Sequence, residues 1–330
     1  MRIGINGFGR IGRQVFRIAF EDDSIEVAHI NDITKAEALA TLLQFDSTHG
    51  RWSHRVRGEG DVLDIEGTTV SVSAEKEPER VPWGEKGVDV VLEATGAFRN
   101  RSDAQKHVDG GAKKVLISAP GKDSLDGDFI LGVNDGAYDR ERHDIISIGS
   151  CTTNCLAPLA KALHEDFRIQ YGLINTVHAY TSSQNLLDGP HKKPRRGRAA
   201  ADNLVPTTTG AATMIGQIIP ELRGKLDGLA VRVPVKCGSL LDLTCTVDGK
   251  TDAKGVNDAL RKWADGSMKG ILAVEDRPIV SSDIIGTEQS CIVSARDTQV
   301  LGEQLLKVLA WYDNEWAFSR RCVDMMKRML

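Results

Sequence analysis

The first 150 residues alternate short apolar runs with stretches of helical spacing. Residues 2–5 (RIGI), 25–31 (IEVAHIN), 88–95 (VDVVLEAT), 113–118 (KKVLIS) and 144–149 (DIISIG) are rich in β-branched side chains and nearly continuous in apolar character. Such runs, separated by helices like the one predicted from about Arg10, are what a parallel sheet covered on both faces requires. After residue 151 the texture changes. Residues 171–181, 228–235, 239–248, 291–297 and 305–313 are longer and partly alternating, and a helical segment at 253–266 interrupts them. This predicts an α+β domain with a mostly antiparallel sheet. The last stretch, 315–330, has Trp316, Cys322, Met325, Met326 and Met329 at helical spacing and reads as a closing helix.

Length fits this division, since 330 residues allow two ordinary cores. A hydrophobic fraction of 41% and a charged fraction of 27% are those of a globular chain, and a net charge of −4 makes nucleic acid or an anionic membrane an unneeded partner. No apolar run approaches the roughly 18 residues of a membrane span. The opening MRIGINGFGR enters a strand directly and lacks the apolar stretch of a signal peptide. Six cysteines without a dense spacing framework read as reduced thiols, so a cytoplasmic location is expected. A reduced cysteine is then available as a working thiolate.

The segment INGFGRIGR sets Gly7, Gly9 and Gly12 in G-x-G-x-x-G register between a strand and a helix. The three glycines serve a tight turn, close backbone approach to a pyrophosphate, and close helix–sheet packing. The helix end offers N–H groups and partial positive charge to the phosphates. Asp32 ends the second strand 20 residues beyond Gly12, where a carboxylate meets the adenosine ribose hydroxyls. The alternative is an ordinary βα turn with an exposed aspartate. The better reading is an α/β, Rossmann-type doubly wound dinucleotide domain over residues 1–150, joined by helix 315–330. Asp32 favours NAD, because a carboxylate there repels a 2′-phosphate, while a nearby cation leaves room for NADP.

Two cysteines stand four residues apart in SCTTNC, residues 150–155. No second Cys or His cluster accompanies them, which argues against structural zinc and leaves no metal expected. One helical turn apart, they form a disulfide only with distortion. In the first helical turn, Cys151 meets backbone N–H groups that lower a thiol pKa and hold an oxyanion, making it the candidate nucleophile. Cys155 reads as packed core. His178, between Val177 and Ala179 on a strand, is the candidate base, although a lone histidine there is more often structural. A Cys–His pair beside a nicotinamide suggests thiohemiacetal formation followed by hydride transfer.

Taken together, INGFGRIGR, SCTTNC, HAYT, LDGPHKKPRRGRAAADNLVPTTTGAA, RVPV and WYDNEW resemble, in order and over nearly the whole chain, the phosphorylating glyceraldehyde-3-phosphate dehydrogenases of bacterial and organellar type. The resemblance implies that residues 151–314 form the catalytic domain, with Cys151 as nucleophile and His178 as base. It implies that Thr181 and Arg232 hold the substrate phosphate, while Ser150, Thr152, Arg196, Thr209 and Gly210 form a second anion site for inorganic phosphate. Asn6, Arg10 and Ile11 join the three glycines and Asp32 in the cofactor loop, Thr95 and Gly96 lie near the ribose, and Asn314 binds the nicotinamide carboxamide. It also implies a homotetramer acting on a small-molecule substrate in glycolysis or gluconeogenesis, without a primary nucleic-acid role.

Some positions depart from the common pattern: Ile33 for leucine, Gly189 in the Asp188–Pro190 run, Lys76 for arginine, Ser183 for aspartate and Phe318 for tyrosine. Those near the ribose relax the expected NAD selectivity. Two other readings remain at this point. An erythrose-4-phosphate dehydrogenase shares the fold and the Cys–His pair, and the basic run 191–198 is the one feature favouring an RNA- or partner-binding protein.

Overall fold

The apolar runs of the first 150 residues become strands in the computed structural model, which describes residues 1–330 as two units. The first unit comprises Met1–Phe129, Ala137–Ser150 and Phe318–Leu330. In chain order it contains β1 (Arg2–Asn6), α1 (Arg10–Phe20), β2 (Glu26–Asn31), α2 (Ala36–Gln44), β3 (Phe45–Asp46), β4 (Gly50–Arg51), β5 (Val56–Glu59), β6 (Val62–Ile65) and β7 (Thr68–Ser73). There follow β8 (Val90–Glu93), α3 (Arg101–Asp109), β9 (Lys114–Ile117), β10 (Gly127–Asp128) and β11 (Ile145–Ser147).

Nine of these strands form one sheet in the order β10-β11-β9-β8-β1-β2-β7-β6-β5. Every pairing from β10 to β7 is parallel, and the interior strands β1, β8 and β9 are almost wholly buried, as two covered faces demand. Chain order reverses on either side of β1, between β2 and β8, which makes the carboxyl ends of β1 and β8 a topological switch point. The antiparallel extension β7-β6-β5 carries polar alternation rather than an apolar run, and the sequence reading did not anticipate it.

The second unit, Ile130–Gly136 and Cys151–Ala317, contains α4 (Cys151–Phe167), β12 (Ile169–Ala179), β13 (Val205–Thr207), α5 (Ala211–Ile218), β14 (Leu226–Val233) and β15 (Ser239–Val247). It continues with α6 (Ala253–Asp265), β16 (Leu272–Glu275), β17 (Cys291–Ser294), β18 (Gln299–Leu301) and β19 (Leu305–Tyr312). The closing helix α7 (Trp316–Met329) begins there and runs into the first unit. Segment 130–136 groups with this unit because Ile130 and Val133 enter its core and Lys161 Nζ donates to the Val133 carbonyl at 2.6 Å.

The sheet order is β13-β14-β12-β15-β19-β17-β16, with β18 against β19. Most pairings are antiparallel, but β12 lies parallel to β14, and β16 to β17. Alternation along β19 buries Leu306, Val308, Ala310 and Tyr312 against Leu156, Leu159, Ala160 and Leu163 of α4 in one core. Burying each of the leucines and the valine stabilises by roughly 1.5–3 kcal/mol. That core fixes the start of α4 relative to the ends of β12 and β14.

Candidate active site

The first residue of α4 is Cys151, so its thiol stands where the helix leaves backbone N–H groups unpaired. β12 brings the His178 ring to it, with Nε2 3.4 Å from Sγ. The other ring nitrogen, Nδ1, lies 2.7 Å from the Ala179 carbonyl oxygen. A carbonyl only accepts, so Nδ1 carries the proton and Nε2 turns its lone pair to the thiol. Tyr312 sets its ring at 77° to this imidazole, 6.0 Å between centroids, and its hydroxyl bonds Thr152 Oγ1 at 2.9 Å and Thr176 Oγ1 at 2.6 Å.

Burial acts against charge on both partners. It pushes the Cys151 thiol up, opposed by the Arg232 charge, by the Thr152 hydroxyl and N–H, and by the Cys151 N–H. It pushes the His178 imidazolium down to about 3, followed by repulsion from Arg232 and Arg196, with the Ala179 carbonyl opposing. Arg232 therefore favours a thiolate and disfavours an imidazolium at the same site. Cys155, in contrast, is completely buried, and its thiol is pushed far up by burial and by the neighbouring Cys291. It belongs to the core.

Arg232 faces His178 across the parallel β12–β14 pair. Its Nη1 donates to the Ala179 carbonyl and to Thr181 Oγ1, both at 3.1 Å, while its buried Nε has no partner. Thr181 Oγ1 bonds Ser183 Oγ at 2.8 Å, and Ser183 Oγ accepts from Arg196 Nη1 at 3.1 Å. Arg196 Nε donates to Thr207 Oγ1 at 3.0 Å. Two guanidiniums are thus linked through hydroxyls, with no carboxylate among these partners, an arrangement whose chemistry suits an anion. Gln184, which the sequence reading passed over, adds a buried Nε2 without a partner while its Oε1 accepts from Thr181 N–H.

Among the other expected anion contacts, Thr209 and Gly210 stand at the start of α5, where Thr209 Oγ1 accepts from Ala211 N–H. They share no hydrogen bond with the arginine–hydroxyl group. Ser150 directly precedes the thiol. The Thr152 side chain is 4% exposed and turned to Tyr312 and Cys151, so it acts toward the sulphur rather than toward open solvent. Asn314 Oδ1 accepts from Gly238 N–H at 3.2 Å and Ser239 Oγ at 2.9 Å, which leaves its NH₂ as the group to offer a ligand.

In the first unit the glycine loop has the features a dinucleotide needs. Gly7 has φ +91°, and a Cβ there would meet Thr95 N at 2.7 Å. A Cβ on Gly12 would lie 2.2 Å from the Gly7 carbonyl oxygen, whereas one on Gly9 would meet nothing within 4 Å. Asp32 accepts from Phe8 N–H at 2.7 Å and Thr34 N–H at 2.9 Å, seating its carboxylate against the loop. Ile11 lies in the first turn of α1 with Arg10, whose guanidinium is held by Asp46. Thr95 caps the turn containing Gly96 by accepting from Ala97 N–H. Open space over Gly9, tight packing at Gly12 and a carboxylate at the end of β2 fit a bound NAD.

Residues 1–101 match the family model described as glyceraldehyde 3-phosphate dehydrogenase, NAD binding domain, and residues 150–314 match that of its C-terminal domain. Glyceraldehyde-3-phosphate dehydrogenase 1 of Bacillus subtilis (strain 168) is 48% identical over 325 residues, covering 98% of this chain and 97% of its own. The Geobacillus stearothermophilus glyceraldehyde-3-phosphate dehydrogenase is 49% identical over the same length and coverage. Glyceraldehyde-3-phosphate dehydrogenase 1 of Streptomyces avermitilis is 51% identical over 326 residues, again covering 98% and 97%. With both domain models matched and identity near one half along almost its full length, this chain belongs to the glyceraldehyde-3-phosphate dehydrogenase family.

Proposed function

We propose that the protein oxidises D-glyceraldehyde 3-phosphate with NAD and inorganic phosphate, giving 1,3-bisphosphoglycerate. The observation that carries this reading is the Cys151 Sγ···His178 Nε2 approach beside the Arg232–Thr181–Ser183–Arg196 group. Cys151 sulphur adds to the aldehyde carbon as its proton passes to His178 Nε2. The oxyanion is held by the Cys151 N–H and the imidazolium Nε2–H, which returns the proton to it and gives the thiohemiacetal hydroxyl. His178 Nε2 then takes the hydroxyl proton as the carbon is oxidised to a thioester on Cys151. NAD would be held by Asn6, Gly7, Gly9, Arg10, Ile11, Gly12, Asp32, Thr95, Gly96 and the Asn314 amide, and would supply the hydride acceptor. Phosphate, held by Arg196 with Ser150, Thr209 and Gly210, attacks the thioester and frees the thiol.

A homotetramer is part of the proposal. Tyr171, Leu173, Leu229 and Leu305 are exposed on the sheet of the second unit, an apolar group that suits burial against another copy. The six free thiols suit a reducing, cytoplasmic setting. No helix is long and apolar enough to cross a membrane.

The deciding experiment follows NADH with glyceraldehyde 3-phosphate and NAD, first without phosphate and then with it. A burst near one NADH per site, then steady turnover on adding phosphate, is expected. Turnover indifferent to phosphate would mean hydrolysis and would remove Arg196 and Thr209 from their roles. Faster turnover of erythrose 4-phosphate would reassign the substrate.

A further inference from the structure

A buried polar chain runs beneath the glycine loop at the switch point of the first unit. Ser73 Oγ and Glu75 N–H donate to Asn31 Oδ1, both at 2.8 Å, and Asn31 Nδ2 donates to Asn6 Oδ1 at 2.8 Å. Asn6 Nδ2 donates to Glu93 Oε2 at 2.6 Å, directly across the β1–β8 register. His107 Nε2 lies 3.1 Å from that oxygen, and Trp83 Nε1 donates to His107 Nδ1 at 3.1 Å. The other carboxylate oxygen accepts from Thr95 N–H at 2.8 Å and from the Thr95 hydroxyl. Asn6, Glu93, His107 and Trp83 are at most 2% exposed.

The chemistry of the chain fixes its protons. An indole N–H only donates, so His107 Nδ1 accepts and the ring must donate from Nε2 to Glu93. The carboxylate then receives four donors, two on each oxygen, which is a full complement. Three of those donors come from the two segments that the sequence assigns to the cofactor, Asn6–Gly7 and Thr95–Gly96, and the fourth comes from His107 on α3. A Cβ on Gly7 would meet Thr95 N at 2.7 Å, so the two segments pack with no room for a side chain between them.

We propose that Glu93 and His107 are positioning residues for NAD, holding the glycine loop and the Thr95–Gly96 turn in the spacing that receives the dinucleotide. The inference rests on the NAD-site reading above and adds residues to it. Neither group touches the cofactor. Trp83 fixes the His107 tautomer, His107 and Asn6 fix the carboxylate, and the carboxylate fixes Thr95.

Glu93→Gln tests this, because whichever way the amide turns, its NH₂ faces at least one N–H that can only donate: Thr95 N–H on one side, Asn6 and His107 on the other. The variant should weaken NAD binding, measured by calorimetry on the full chain, roughly ten- to hundredfold, the range for an unsatisfied buried group. KM for NAD should rise while kcat is largely kept. His107→Leu should weaken NAD similarly, and His107→Gln, whose amide can donate to Glu93 and accept from Trp83, should recover most of the affinity. Val115→Ala, a buried core change on β9, serves as a control matched in melting temperature. NAD affinity within twofold of wild type in Glu93→Gln, or an equal loss in Val115→Ala, would overturn the proposal. Failure of the wild-type protein to bind NAD would overturn the functional reading itself.

Discussion

Alanine at Gly9 and alanine at Gly12 are the same chemical change three residues apart, yet the structure separates their consequences. A Cβ on Gly12 would sit 2.2 Å from the Gly7 carbonyl oxygen, a backbone atom with no rotamer to yield. Ordinary contact distance then requires the loop and α1 to separate by roughly 1 Å, and overpacking of this kind costs about 1–3 kcal/mol. In a chain of this size that lowers the melting temperature by roughly 1.5–4 °C. At Gly9, φ is −74° and ψ −155°, a conformation alanine adopts, and the added methyl enters open space. Gly9→Ala should therefore melt within about 1 °C of wild type. Its penalty should appear only when the pyrophosphate approaches, as a loss of NAD affinity of about tenfold or more. Thermal unfolding with and without saturating NAD distinguishes the two: Gly12→Ala starts low, whereas Gly9→Ala starts normally and gains less from NAD. Normal NAD affinity in Gly9→Ala, or an unchanged melting temperature in Gly12→Ala, would refute the reasoning about this loop.

Other expectations are equally direct. Cys151→Ser should abolish phosphorylating oxidation and leave NAD binding intact; residual turnover above a few per cent would count against the thiol. His178→Asn should slow the NADH burst roughly 10²–10⁴-fold, the range for a general base, and a loss below about tenfold would leave His178 a structural role. Tyr312→Phe removes the partner of two buried threonine hydroxyls and should cost about 1–3 kcal/mol in urea unfolding. His54 is clamped between Glu66 and Glu21, both at 2.9 Å, and its pKa is raised, first by Glu66. Because the folded-state pKa is the higher one, this contribution is full below about pH 6.5 and fades as pH climbs through the folded value. Relative to His54→Gln, wild type should lose stability between pH 6 and 9, and parallel curves would exclude the clamp.

Features carried by a few consecutive residues were legible in the sequence. The glycine loop, Asp32 and the place of Cys151 at a helix start are local patterns, and local chemistry specified them. The same is true of α7, which the spacing places from about residue 315 and which begins at Trp316. What escaped depends on register between distant strands. Nothing in WYDNEW says that the Tyr312 hydroxyl meets Thr152 and Thr176, separated from it by 160 and 136 residues. Glu93 lies in a run read only as a strand, and nothing local to it or to His107 says that β8 and α3 turn the two inward to meet. Antiparallel β5 and β6 were missed because their polar alternation resembles loop. The parallel β12–β14 pair, which sets Arg232 opposite His178, lies inside a mostly antiparallel sheet and has no signature of its own.

One carbonyl oxygen, that of Ala179, accepts both from His178 Nδ1–H and from Arg232 Nη1–H. Base and anion anchor therefore have a common tether. An anion that draws the guanidinium toward itself leaves the imidazole as the main claimant on that oxygen, tightening the bond that orients its lone pair. If Arg232 binds the substrate phosphate, as the family resemblance implies, that phosphate is more than a handle: it helps set the base, so a bare aldehyde of equal reactivity would meet a less well-aimed imidazole.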